Sequence, residues 1–179
     1  MINEQHIKPF VDKKINLNED SILEKLLDRY RWPKHYLHGQ PSVEAIKEDG
    51  TKHQDFFNED QYLNSLDCIK CYEDGYTLIL SNVGGLSKEL WLFEQHLNHV
   101  FNKFINCNFY FGNGKKSISF PKHNHEYPVM VKNIYGKSKW IIDEKEVLLD
   151  EQNVVFFDKF VNHEVIEIED KKLSLTCNL

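Results

Sequence analysis

Long apolar runs are missing from this sequence. No stretch approaches the roughly 20 residues that a membrane-spanning helix needs, so no membrane partner is expected. Met1 to Phe10 carries no charged-then-apolar leader pattern. Cysteine is sparse, with four in 179 residues, too few for a dense disulfide framework, which points to a reducing cytoplasm. An excess of positive charge is missing too. The 22 Lys and Arg against 28 Asp and Glu leave a net charge of -6, whereas a general nucleic-acid binder needs a basic surface to neutralise phosphates. Internal repeats and low-complexity linkers are absent. What is present is 41% hydrophobic and 13% aromatic residues, the composition of a folded chain and not of a disordered one. One domain over 1–179 is expected, with a helical and strand part over 1–106 and a strand-rich core over 107–179.

Local patterns divide the chain in the same way. Ser21-Ile-Leu-Glu24 has the form of a capping box and predicts a helix over Ser21 to Tyr30, ended before Trp32-Pro33 by the backbone restriction that proline imposes. The apolar Phe56, Tyr62, Leu63 and Leu66 suggest a second short helix over 56–67. Thr77–Ser81 reads as a strand closed by Gly84-Gly85. Ser87 then caps a helix, Lys88 to Phe104, whose Leu90, Phe93, Leu97, Phe101 and Phe104 recur every three or four residues. From Cys107 onward short strand-like runs take over: Asn108–Phe111, Val129–Tyr135, Lys139–Ile142, Glu146–Leu149, Val154–Phe157, Glu164–Ile168 and Leu173–Cys177. Turn residues separate them, so the fold class is α+β, mainly β, ending in a sandwich or barrel.

His123-Asn124-His125 carries the chemistry. Residues i and i+2 of a strand face the same way, so both imidazoles can share one ion. His163, at the start of a later strand, is placed to be the third ligand. Imidazole suits iron, zinc, copper and nickel alike, so residue type does not name the metal. The other candidates are weaker. Cys68 and Cys71 have half a zinc-knuckle spacing without a second pair, and Cys107 and Cys177 stand apart in sequence; all four read as buried thiols. His96 and His99 lie beside the helical apolar stripe without a third partner and read as solvated.

Residues 30–179, and 108–178 most of all, resemble the Jumonji-C-like cupins, in particular their bacterial and ribosomal-oxygenase branch. The motifs are Asn108-Phe109-Tyr110, the turn Gly112-Asn-Gly114, His123-Asn124-His125, the apolar strand Val129–Tyr135, Gly136-Lys137-Ser138-Lys139-Trp140, His163-Glu-Val165 and Leu173–Thr176. The resemblance implies a cupin, or double-stranded β-helix, barrel with the N-terminal helices packed outside. It also implies an Fe(II)- and 2-oxoglutarate-dependent oxygenase that uses O2 to hydroxylate a peptide or protein side chain, or an amino-acid-like small molecule, with a homodimer as a family-level expectation. His123, His125 and His163 would hold the metal and form the catalytic centre. Asn108, Tyr110, Ser138 and Thr176 would stand around the cosubstrate.

Two positions depart from the family. His125 stands where the family has Asp, so the ligand set lacks the carboxylate that offsets one metal charge, and alternation points the adjacent Glu126 away. Ser138 stands where the family has the Lys that pairs with the distal carboxylate of 2-oxoglutarate, while Lys137 and Lys139 fall on the opposite face. Two other readings therefore stand beside the first: a three-His metal oxygenase that does not use 2-oxoglutarate, and a cupin that binds metal or ligand without turnover.

Overall fold

The larger of two β-sheets among the described residues draws its strands from Val43 to Asn178. The computed structural model describes residues 14–53, 55–117 and 120–179. Among them are three α-helices and ten strands. Helix α1 is Glu19–Leu27, followed by β1 (Val43–Ile46) and β2 (Lys52–His53), α2 (Ser65–Glu73), β3 (Thr77–Leu80) and α3 (Lys88–Phe101). The remaining strands are β4 (Asn106–Asn113), β5 (Val129–Tyr135), β6 (Ser138–Ile142), β7 (Lys145–Leu149), β8 (Val154–Phe157), β9 (His163–Ile168) and β10 (Lys171–Asn178). Among the described residues, no helix is long and apolar enough to cross a membrane.

Helix α1 begins two residues before the expected start. Its cap is Asn18, whose side chain accepts from the Ser21 amide at 2.9 Å, and Glu19 and Asp20 lie against the positive end of the helix dipole. The helix expected over 56–67 forms later, as α2. There Cys68, Cys71 and Tyr72 make the buried face, and Tyr72 stacks on Phe111 of β4 with ring centroids 4.0 Å apart. Ser87 caps α3 as expected, its hydroxyl accepting from the Leu90 amide. The helix stops at left-handed Asn102, which leaves Phe104 exposed outside it.

Strand order in the larger sheet is β2-β1-β3-β4-β10-β5-β8; the smaller sheet is β7-β6-β9. His123 bridges antiparallel to His163, adding the segment before β5 to the smaller sheet beside β9. From β4 onward the chain therefore visits the sheets in the order larger, smaller, larger, smaller, smaller, larger, smaller, larger. This is the winding of a double-stranded β-helix, the cupin-type jelly roll. Strands β1 to β3 extend the larger sheet past the barrel on the β4 side; β1 and β2 were not foreseen from the sequence.

Alternation assigns each face of the larger sheet. On β10, Leu173, Leu175 and Cys177 pack toward the helices with Phe109 and Phe111 of β4. A second cluster inside the barrel unites Val129, Val131, Trp140, Phe157 and Val165. Cys107 and Cys177, apart in sequence, are direct cross-strand partners with their sulfurs 3.4 Å apart, both buried.

Gly136 turns β5 into β6 with φ +77°, and a Cβ there would lie 2.1 Å from the Lys171 carbonyl oxygen. Gly136→Ala is expected to lower unfolding stability by more than about 2 kcal/mol, because it adds left-handed strain to a clash with backbone. Urea unfolding measures this, and an unchanged midpoint would contradict the packing at this turn.

Candidate metal centre

His123 and His163 are held by their own backbones. The His123 amide donates to the His163 carbonyl at 3.1 Å, and the His163 amide returns the bond to His123 at 2.8 Å. Side chains of directly opposed residues meet on one face. The imidazole centroids are 4.4 Å apart for His123 and His163, 4.9 Å for His123 and His125, and 5.0 Å for His125 and His163. Each ring offers a nitrogen within 4.8 Å of the other two, and no other such cluster of His, Cys, Asp or Glu occurs among the described residues. Glu126 is exposed and outside the cluster, as alternation indicated.

Tautomers follow from the acceptors. The Nδ1 atoms of His123 and His163 lie 2.9 Å from the carbonyl oxygens of Pro121 and Val161. A carbonyl only accepts, so each Nδ1 carries the proton and each Nε2 keeps its lone pair for a ligand. Burial, with neighbouring His123 and His125 adding to it, pushes His163 down to about 4; burial and His123 push His125 down as well. His125 and His163 are therefore neutral at pH 7, as metal ligands must be. Donor type, protonation and grouping fit a divalent transition metal on one face of three imidazoles.

Two cavities meet at the histidines. The inner one, about 40 Å³, lies between the sheets, where Val131, Trp140, Phe157 and Val165 make its dry wall. The outer one, about 300 Å³, opens over the β1–β3 extension. Tyr110, Phe120, His123, His125 and Thr176 border both.

Of the residues expected around a cosubstrate, Asn108, Tyr110 and Thr176 border these cavities. The Asn108 side-chain oxygen accepts from the Asn82 amide at 3.3 Å, which leaves its NH2 for the cleft. The Tyr110 phenol, its ionisation suppressed by burial, has no hydrogen bond among the described residues. Ser138 lines neither cavity. It is buried behind Trp140, its hydroxyl oxygen accepting from Trp140 Nε1 at 2.9 Å and from Asn133 Nδ2 at 3.4 Å, while Ser174 Oγ donates to Asn133 Oδ1 at 2.7 Å. This network sets the angle of Trp140, which stacks loosely on His163 at 6.3 Å. Lys137 and Lys139 point outward to Glu169 and Glu167.

A cation from another strand reaches the inner cavity. Lys172 on β10 lines the inner cavity with only 2% of its surface exposed. Its amine lies 5.9 Å from the Trp140 ring centroid, with no carboxylate or hydrogen-bond partner among the described residues. Burial lowers its pKa to about 8, so it is mostly cationic at pH 7. In sequence, Glu169-Asp170-Lys171-Lys172 looks like a solvated charged turn. The signal available was alternation: Lys172, Ser174 and Thr176 share one face.

Tyr127 stacks on His125, centroids 5.1 Å apart and planes 10° from parallel, and closes the outer side of the cluster.

No protein-family model and no curated protein matches the chain. Solved structures similar to part of it include a cupin superfamily protein of Desulfitobacterium hafniense, with TM-score 0.38 and 11% identity over 42% of this chain and 66% of that one. A DMSP lyase of Ruegeria pomeroyi gives TM-score 0.38 and 12% identity over 41% of this chain and 37% of that one. A salicylate 1,2-dioxygenase of Pseudaminobacter salicylatoxidans gives TM-score 0.37 and 9% identity over 41% and 20%. The match spans less than two thirds of each of these proteins.

Proposed function

We propose that this protein is a mononuclear non-haem Fe(II) oxygenase that uses 2-oxoglutarate as cosubstrate to hydroxylate an amino-acid-like molecule or a peptide side chain. The observation that carries the reading is Lys172, a buried amine in the cavity beneath the three histidines, without a counter-ion among the described residues. A buried cation is costly unless an anion meets it. A divalent metal on three neutral imidazoles keeps its full double charge, and Lys172 adds one more. A dicarboxylate that reaches both offsets two of those three charges, which a monoanion does not. The motif resemblance to Jumonji-C-like cupins points to the same cosubstrate, with Lys172 in the place of the family's Lys at position 138.

When bound there, iron would couple O2 reduction to oxidation of the keto acid and of a substrate C–H bond. The chain's own residues supply the rest. Lys172 holds the distal carboxylate; the Tyr110 and Thr176 hydroxyls donate to oxygens near the metal; Val131, Phe157 and Val165 exclude water. His123 and His163 keep their Nε2 atoms aimed by Nδ1 bonds to carbonyls.

One observation favours a second reading, a three-His oxygenase that chelates its own substrate. The inner cavity of about 40 Å³ admits a few waters or one carboxylate group, less than a five-carbon diacid fills unless side chains shift.

Anaerobic Fe(II) titration with and without 2-oxoglutarate decides between them. A metal-to-ligand charge-transfer band that needs both components is expected, and Lys172→Met is expected to lose it at the same 2-oxoglutarate concentration. Tight Fe(II) binding without a band would overturn the 2-oxoglutarate reading and leave direct substrate chelation.

A further inference from the structure

A separate pocket of about 410 Å³ lies at the start of β4, bordered by the turn at Leu37 and His38, by Asn82 and Gly85, and by helix α3. It adjoins the outer cleft, because Gln40 borders both. Alternate residues of β4 connect the two. Asn106, Asn108 and Tyr110 share one face of the strand. Asn106 lines this pocket, Asn108 lines the cleft, and Tyr110 reaches the cavity beneath the histidines.

Glu94 on α3 is the carboxylate in the lining. It is half-buried, and its side chain has no hydrogen bond or ion pair among the described residues. It sits against Gly84, where any Cβ would collide with it. Arg31 acts on it from beyond ion-pair distance, its guanidinium donating to the Asn82 carbonyl at 2.6 Å. Burial outweighs that pull and holds the Glu94 carboxyl above its ordinary value. Asn106 adds a second acceptor short of a donor. Its NH2 donates to Gln40 Oε1 at 3.2 Å, while its own oxygen is buried without a partner among the described residues. Leu37 and Phe104, both largely exposed, form an apolar rim.

We infer that this pocket takes the cationic side chain of a peptide substrate, an arginine or a lysine, with its head on Glu94 and its stem along Leu37 and Phe104. The inference deepens the proposed function by naming a specificity subsite, and rests on it for the chemistry at the histidines.

What the pocket lacks is positive charge and N–H donors. An anionic ligand repels Glu94, and an apolar one buries both acceptors further without a partner. A guanidinium or ammonium supplies the charge and several donors, and its methylenes cover the apolar rim. Arg31 keeps its own bond to the Asn82 carbonyl throughout. The path to the metal selects a peptide over a free diamine. Asn106 and Tyr110 are separated by four steps of extended strand, about 14 Å, which a peptide spans in about four residues. Gln40, Asn108, Thr176 and Asn178 line the way, neutral amides and a hydroxyl that match the donors and acceptors of a peptide main chain. The substrate thus carries its basic residue about four positions from the residue presented to the histidines.

Fluorescence anisotropy of the anaerobic Fe(II) protein with labelled random octapeptide pools tests this. Each pool carries one fixed arginine, and its control carries citrulline, the neutral isostere, at the same position. The arginine pool is expected to bind about fivefold or more tighter than its control. Glu94→Gln is expected to make the two equal, and Glu94→Asp to restore part of the preference, with Fe(II) stoichiometry and thermal melting checking the fold of each variant. Equal binding of the two pools, or a preference retained in Glu94→Gln, would overturn the inference. So would a dimer in sedimentation that Phe104→Ser dissociates, since a second copy would then fill the pocket. A protein that shows the charge-transfer band yet no preference for arginine fails this inference alone. One that prefers arginine without giving the band fails the 2-oxoglutarate reading alone.

Discussion

Lys172→Met is expected to make the metal-free protein more stable and, under the proposed function, to remove its hold on a dicarboxylate. Lys172 has an ordinary value of 10.5 and is pushed down to about 8 by burial, with only the Trp140 ring opposite its amine. Folding therefore disfavours its proton. Between pH 8 and 10.5 the unfolded chain binds more protons than the folded one, so stability rises with pH across that window. Below pH 8 the whole penalty is present, on the order of 3 kcal/mol for a shift of this size. Methionine matches the length of the stem, packs against Val131 and Trp140, and carries no charge. The variant is expected to gain up to about 3 kcal/mol at pH 7 and almost nothing near pH 10.5, with a flatter pH dependence than the parent. Urea unfolding at the two pH values reads this directly.

The ligand side runs the other way. The parent protein should bind 2-oxoglutarate best below pH 8 and lose affinity as the amine deprotonates above it, whereas the variant should bind weakly at every pH. A residue that lowers stability when the protein is empty and is needed when it is loaded is what a binding site requires. A destabilised Lys172→Met protein would show that the amine makes a favourable interaction in the empty fold, and would remove the main support for the cosubstrate reading.

The second large effect is at His163. His163→Ala is expected to weaken Fe(II) binding by well over the ten- to about a hundredfold that loss of an outer partner costs, since it removes a ligand. It should also destabilise the metal-free protein by about 2 kcal/mol or more, because the ring packs on Phe157 at 4.1 Å and is 3% exposed. His123→Ala, at the half-exposed end of the cluster, should lose metal equally with a much smaller effect on the empty fold. Metal titration beside thermal melting separates the two effects. Stoichiometric binding retained in either variant would rule out the three-His centre. His125→Asp addresses the departure from the family: a carboxylate there cancels one metal charge, and 2-oxoglutarate turnover is expected to rise. A fall in turnover would mean that the chemistry depends on the third imidazole.

The order and type of the late strands, helix α3 and the pairing of His123 with His125 were legible in the sequence because each rests on local information. Period-two and period-3.6 patterns lie within a few residues of one another, and His123 and His125 share a face by the geometry of any strand. Strands β1 and β2 were not legible: Val43–Ile46 is too short to show a period, and its pairing with β3 spans more than 30 residues. The helix expected over 56–67 moved to Ser65–Glu73 because Phe56 and Leu63 are buried from irregular backbone, so their apolar spacing reported tertiary contact and not helical turns.

Which strands are neighbours was decided only by the tertiary structure. Register across β4, β10 and β5 opposes Cys107 to Cys177, puts Ser174 on Asn133, and moves Ser138 behind Trp140. Closure of the two sheets then encloses Lys172, a residue preceded in sequence by the charged and exposed Glu169, Asp170 and Lys171. Sequence put His123 and His125 on one face, because their spacing is local, and the antiparallel bridge brought His163 to them. The barrel determined the cation that faces them, because burial depends on what the rest of the chain places on the other side.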